Sequence, residues 1–390
     1  MSWKLMENAI TLKDKLSLIK FIVTSDRFTN GRVVKLLEDS WNNWLESKYS
    51  LFVSSGSTAN YLLLAAIKEK FNIQEKAKVL VPACTWMTNV APILQQNLHP
   101  IFCDVSLEDF SYDIESLKKI ADNHPDIKII FVTHLIGYTS RSRDEKVLEN
   151  LFPEALILDD VCESHGCSSI YNKKKIGSDS LGATFSTYFG HHLTTIEGGF
   201  ISTNDKDLYD LMKMKRSHGL ARESENFIKY SELYKDIDKN FLFITDGYNF
   251  RNTDLNAVLG LNQLKNLDNN IKIRNKNYKQ FCSIINTYTS LFYALKIPST
   301  ISSYCFPFIC KTPEIRENLT QLFKQNDIEY RPIISGNLTR HPFINKYNLN
   351  LDQNEFTTAN LIHDNGLYIG NSQFVDFEKI NYLIKLIDEL

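Results

Sequence analysis

Between residues 50 and 265, short apolar runs alternate with segments of helical periodicity, and this alternation constrains the fold more than any other feature. KVLVPA (78–83), HPIFCDV (99–105), IKIIFVTHL (127–135), EALILDDV (154–161), ATFSTYF (183–189) and GGFIST (198–203) read as strands. Several are almost unbroken hydrophobic runs, as a strand carries when both of its faces are covered. Helical stretches such as Thr58–Phe71 and Ile114–Asn123 lie between them. This order predicts an α/β fold with a mainly parallel sheet and helices on both sides. Apolar spacing near 3.6 predicts one long helix from Asp254 to about Lys279. Beyond it, CFPFIC (305–310), a helix near Pro313–Asn326, IEYRPII (328–334) and a helix after Phe374 predict a small α+β domain. The division expected is a large domain over residues 1–265, with an N-terminal helical segment, and a small one over 266–390.

Composition excludes several function classes. A chain of 390 residues, 43% of them apolar, can bury a large core. A net charge of −2 gives no basic surface for nucleic acid. No apolar run approaches the ~18 residues of a membrane span. The first twenty residues scatter charge where a signal peptide needs an apolar stretch. The seven cysteines, at 84, 103, 162, 167, 282, 305 and 310, form no CxxC pair. Reduced thiols in a cytoplasmic protein are expected.

Three segments carry chemistry. SSGSTAN (54–60) joins a strand to a helix. Small residues there let backbone N–H groups and the helix N-terminus face an anion, although such junctions are common. ILDDVCESHG (157–166) ends a buried strand in acids, and ligands of parallel sheets sit beyond strand carboxyl ends. A carboxylate there keeps a pyridine nitrogen protonated, or Asp159 or Asp160 merely caps the next helix. Asp160 and Glu163 are spaced to face one ligand. FSTYFGHHLTTIEGGF (185–200) sets adjacent histidines in a small-residue loop, where they suit a general base, metal ligands or plain structural roles.

Taken in order, GST, TW, DxxE, FS-x5-H-x5-EGG, RSHG (216–219) and GYNFRNTDLNAVLGLNQL (247–264) resemble the DegT/DnrJ/EryC1/StrS family of sugar aminotransferases, over about residues 25–390. The resemblance implies the fold type I architecture of pyridoxal-phosphate enzymes and a pyridoxal or pyridoxamine phosphate cofactor. It implies phosphate contacts from Gly56 and Ser57, helped by Ser186, and a ring stacked on Trp86. Asp160 would pair with the pyridine nitrogen, Glu163 would lie near the ring, and Asn249 would reach the phosphate held by a second subunit of a homodimer.

The departure from the family pattern is the sharper signal. His191 stands where the family has its Schiff-base lysine, and the motif contains no other lysine. Lys173–Lys175 read as a solvated turn. Imidazole forms no stable Schiff base, yet it can take and return protons. The substitution is similar to that of the family's sugar-nucleotide 3-dehydratases, as is SGNLTRHPF (335–343). The resemblance implies loss of the C3 hydroxyl from a nucleotide-linked 4-keto-6-deoxyhexose, with GDP-4-keto-6-deoxymannose expected, His191 as the base, and L-glutamate restoring the amine. The setting implied is dideoxysugar synthesis for bacterial surface polysaccharide.

His218 is a second catalytic candidate, and His134 reads as a packing residue. Arg251, Arg331 and Arg340 are candidate diphosphate contacts, since guanidinium matches phosphate geometry. A related branch holds an iron–sulfur cluster, which needs about four gathered thiolates. With no cysteine between 168 and 281, neither a cluster nor any other metal is expected. Two other readings remain at this stage: a 4-aminotransferase with an unusual base, and an inactive fold kept as a binding protein.

Overall fold

The computed structural model describes residues 2–390. Seven strands form the large sheet: β1 (Tyr49–Val53), β2 (Lys78–Pro82), β3 (His99–Cys103), β4 (Ile129–Thr133), β5 (Leu156–Asp160), β6 (Gly182–Ser186) and β7 (Gly199–Thr203). Their order is β1-β7-β6-β5-β4-β2-β3. Pairings from β3 through to β6 are parallel. β7 runs antiparallel to both neighbours, so it alone is reversed. The carboxyl ends of β1, β4, β5 and β6 therefore share one edge of the sheet with the start of β7. All six strands read from the sequence are present, within two or three residues at their ends.

Helices cover both faces, and strand residues divide between them with period two. Leu51, Val53 and Ile201 pack into one core with Leu62, Leu63 and Ala66 of the helix Gly56–Lys70. Phe52, Phe185 and Phe200 point the other way, into a core with Val34, Leu37 and Trp41 of the helix Arg32–Leu45. There Trp41 stacks on Phe200 at 4.3 Å with the rings nearly parallel. Beside that cluster a buried ion pair joins Arg216 Nη1 to Glu38 Oε1 at 2.7 Å.

The small domain holds a second, antiparallel sheet in the order β8-β10-β9: β8 (Cys305–Ile309), β9 (Tyr330–Pro332) and β10 (Gly366–Gly370). Two sequence expectations need correction. The long helix is two, Asp254–Leu264 and Leu267–Ile285. Asn266 N–H bonds Gln263 O, three residues back, which tightens the chain at the junction. The buried stripe Gly260, Gln263, Leu267, Ile271, Arg274 continues across it, so periodicity could not reveal the break. The first described residues, expected with the large domain, lie on the small one. Trp3 is buried, donates from Nε1 to Gly370 O at 2.9 Å and packs edge-on against Phe306.

Candidate active site

A cavity of about 520 Å³ opens where the carboxyl edge of the large sheet meets the small domain. Gly56, Ser57, Trp86, Asp160, Glu163, Ser186, His191 and Arg331 all line it, eight residues named from sequence alone.

At one end is the first turn of the helix Gly56–Lys70. Ser55, extended at φ −166, caps it: its Oγ accepts from Thr58 N at 3.1 Å, and Thr58 Oγ1 accepts from Ser55 N at 3.0 Å. The N–H groups of Gly56 and Ser57 are left without intrahelical partners, at the positive end of the helix dipole. A Cβ on Gly56 would lie 2.7 Å from Ser186 Cβ, so glycine lets this turn abut the end of β6. The result is a cradle for an anion with a hydroxyl from Ser186 beside it.

Trp86 also lines the cavity and keeps 52% of its surface exposed, which leaves aromatic surface free. Asp160 closes the base. Its Oδ2 accepts from Asn60 Nδ2 and Asn89 Nδ2, each at 2.8 Å, and its Oδ1 accepts from Cys162 N at 2.9 Å. A carboxylate has about four lone-pair sites, so one on Oδ1 remains for an N–H in the cavity. Asn60 is itself fixed by Thr184 Oγ1. Neither asparagine was singled out in the sequence. Asn60 is the last residue of SSGSTAN, one helical turn beyond Gly56, and that spacing was the available signal.

Strand alternation settles the choice between the two aspartates. Asp159 points away from Asp160, to His134 Nε2 at 2.9 Å and Ser180 Oγ at 2.5 Å. Burial raises its pKa, but the Arg143 charge and these hydrogen bonds outweigh burial and hold it well below the usual carboxylate range. His134 also accepts Ser140 N–H at Nδ1, which occupies both ring nitrogens, as a hydrogen-bonding residue should.

Glu163 is half-buried on the cavity wall. Burial pushes its carboxyl up to about 8, against the hydrogen bond that its Oε2 accepts from Ile136 N at 3.0 Å. At neutral pH it is a protonated acid. His191 is pushed the other way, down to about 4, by burial and then by the Arg274 charge, so its imidazole is neutral. His191 Nδ1 is buried with no protein partner, whereas Nε2 reaches open space. The two adjacent histidines separate: His192 is 3% exposed and its Nε2 meets Ser302 O at 3.0 Å, a structural contact.

Among the described residues, no lysine lines the cavity. Lys173 and Lys174 are exposed, and Lys175 donates to Trp44 O. Four predicted residues are not brought to the cavity of their own chain. Arg340 is ion-paired with Asp364 at 2.8 Å on the surface. His218, Asn249 and Arg251 cluster elsewhere, with Arg251 Nε on Asn249 Oδ1 at 3.0 Å and Arg251 Nη2 3.4 Å from His218 Nε2. His218 and Asn249 are exposed there. Met6, Tyr188, Tyr304 and Tyr368 also line the site and were not anticipated. The anion cradle, the open indole face and the single free lone pair on Asp160 together fit a flat, phosphate-bearing pyridine.

A model of the DegT/DnrJ/EryC1/StrS aminotransferase family matches residues 10–388. The GDP-4-keto-6-deoxy-D-mannose 3-dehydratase of Escherichia coli O55:H7 is 32% identical over 376 residues, 95% of each chain. Two solved structures of GDP-4-keto-6-deoxymannose-3-dehydratase are 28% identical. One, a histidine-to-asparagine mutant with bound GDP-perosamine, superposes with a TM-score of 0.89 over 99% of this chain and 100% of that one. The other, with a trapped PLP-glutamate geminal diamine, gives 0.88 over the same shares.

Proposed function

Starting from the fact that this chain belongs to the DegT/DnrJ/EryC1/StrS aminotransferase family, we propose that it is a sugar-nucleotide 3-dehydratase. It removes the C3 hydroxyl of GDP-4-keto-6-deoxymannose to leave a 4-keto-3,6-dideoxy sugar, and L-glutamate restores the amino form of its cofactor. One observation carries this reading: the only basic side chain aimed at the site from the FSTYFGHHLTTIEGG loop is an imidazole, in a cavity without lysine. The like-named activity of the relative matched over 95% of both chains supports it.

Bound pyridoxamine phosphate supplies the amine that joins the C4 ketone and a ring able to accept an electron pair. The chain's own residues would do the rest. The first turn at Gly56 and Ser57, with Ser186, holds the phosphate, and Trp86 covers one ring face. Asp160, with three of its lone-pair sites already occupied, directs the fourth at the ring nitrogen and favours its protonated form. Neutral Glu163 can donate a hydrogen bond where an ionised carboxylate could not. His191 takes a proton at Nε2. A group depressed to about 4 is readily neutral before the reaction and a strong acid after it, suited to deliver that proton to the departing C3 hydroxyl. Arg331, exposed at the rim, is placed to meet a diphosphate.

His218, Asn249 and Arg251 belong, in this reading, to the cavity of a second copy in a homodimer, which accounts for an exposed polar group gathered outside its own site. The seven free thiols suit a reducing cytoplasm, and no helix among the described residues is long and apolar enough to cross a membrane. Mass spectrometry of the sugar tests the activity after incubation with pyridoxal phosphate, L-glutamate and GDP-4-keto-6-deoxymannose. Loss of the C3 oxygen with the C4 ketone retained and glutamate consumed is expected. A 4-amino product that keeps that oxygen would overturn the reading.

A further inference from the structure

Adjoining the main cavity at Met6, His191, Tyr304 and Tyr368 lies a second and much smaller one of about 10 Å³. His191, Arg274, Tyr304 and Asn371 line it, and residues 5–7 of the N-terminal segment close it. Its polar atoms do not add up. Arg274 is 5% exposed and spends Nη1 twice, on Tyr304 O at 3.2 Å and Asn371 O at 2.6 Å, yet its Nε has no protein partner. Asn371 is 3% exposed and donates from Nδ2 to Arg274 O and Ser303 Oγ, both at 2.9 Å, which fixes the amide's orientation. Its Oδ1 has no partner. His191 Nδ1 is the third such atom.

An unsatisfied buried polar group is costly, so three of them on residues that line one cavity point to a shared partner. The space matches one water, which needs roughly 10–15 Å³ of this measure and makes about three hydrogen bonds when buried. Arg274 Nε can only donate and Asn371 Oδ1 can only accept. His191 Nδ1 can do either, and the water could answer both tautomers. Only the tautomer with the proton on Nδ1 leaves a lone pair on Nε2, the ring nitrogen not among the buried, unpartnered atoms.

We propose that this small cavity binds one water that accepts from Arg274 Nε–H and His191 Nδ1–H and donates to Asn371 Oδ1, making Arg274 and Asn371 positioning residues that hold His191 in its proton-accepting tautomer. The water site stands on geometry, and its choice of tautomer rests on the reading of His191 as the base. The arrangement gives His191 a fixed ring orientation without a carboxylate partner. A carboxylate would stabilise the imidazolium and weaken the acid needed for the second proton transfer.

Two measurements on the cofactor-loaded wild-type protein test this without any turnover. A crystal structure that resolves ordered solvent should show one water within hydrogen-bonding distance of all three atoms. Nitrogen-15 NMR of histidine-labelled protein, with His191 assigned by its loss in His191→Asn, should show a protonated Nδ1 and an unprotonated Nε2. A dry cavity, a ring turned with Nδ1 toward the main cavity, or a proton on Nε2 would each overturn the proposal. Asn371→Leu removes the acceptor and should raise the Nε2–H population. It should also lower kcat by on the order of tenfold with KM for the sugar unchanged, since a wrong tautomer disables a general base. Unchanged tautomer and kcat in that variant count against the proposal, and if it fails to fold the wild-type measurements still decide. A protein that shows the water and the Nδ1 proton but leaves the sugar intact would sink the functional reading and leave the water site standing.

Discussion

Glu163→Gln should stabilise the cofactor-free protein, and by an amount that grows with pH. The Glu163 carboxyl titrates near 8 in the fold against 4.5 for the ordinary group, chiefly because it is buried. A carboxyl with its folded pKa above its unfolded one binds more protons folded than unfolded between those values. Stability therefore falls as pH rises from about 4.5, and the loss levels off beyond about 8. At 1.36 kcal/mol per unit, the cost at pH 7 is about 3 kcal/mol, and near pH 5 under about 1 kcal/mol. Glutamine keeps the shape and the oxygen that accepts Ile136 N–H, but has no proton to lose. With an unfolding entropy near 2 cal/mol/K per residue, 3 kcal/mol across this chain is about 4 °C in Tm. Differential scanning calorimetry of both proteins from pH 5 to pH 8 reads this directly. The Tm difference should rise from about 1 °C to about 4 °C between pH 5 and pH 7. A pH-independent difference would mean that Glu163 is already ionised, and the account of it as a neutral donor would be wrong.

Gly56→Ala places a methyl 2.7 Å from Ser186 Cβ at the anion cradle. The dissociation constant for pyridoxal phosphate, followed by absorbance, should rise at least roughly tenfold, about 1.4 kcal/mol. Trp86→Ala removes the open stacking face and should cost about 1 kcal/mol, roughly fivefold in the same constant, with little change in Tm because the indole is half exposed. Arg216→Met strands Glu38, which is 3% exposed, and should lower unfolding free energy in urea by about 3–5 kcal/mol.

The alternation of apolar runs exposed the large sheet because a buried strand must be apolar on both faces, a local and unambiguous signature. The site was legible where chemistry demands a residue type at a strand end: Gly56 at the cradle, Asp160 beyond β5, His191 in the loop after β6. What stayed hidden joins distant parts of the chain. Asn89 serves Asp160 from 71 residues away, and Asn371 meets Arg274 across 97. No spacing rule links such pairs, because tertiary packing alone brings them together. The break at Lys265–Asn266 escaped notice for the opposite reason, since the buried stripe on either side keeps one phase. His218, Asn249 and Arg251 gather outside the cavity of their own chain, where no spacing in the sequence could place them.

The contact between Trp3 and Gly370 also sets an order of events during synthesis. Their separation of 367 residues is almost the whole chain. At roughly 5–20 residues per second, the indole emerges from the ribosome some 20–70 s before its acceptor exists. Through that interval a large aromatic surface near the nascent N-terminus has no native place to go, and the segment closing the back of His191 cannot settle. The large sheet, complete by Thr203, can form during that wait, but the pocket cannot close until Gly370 has been made.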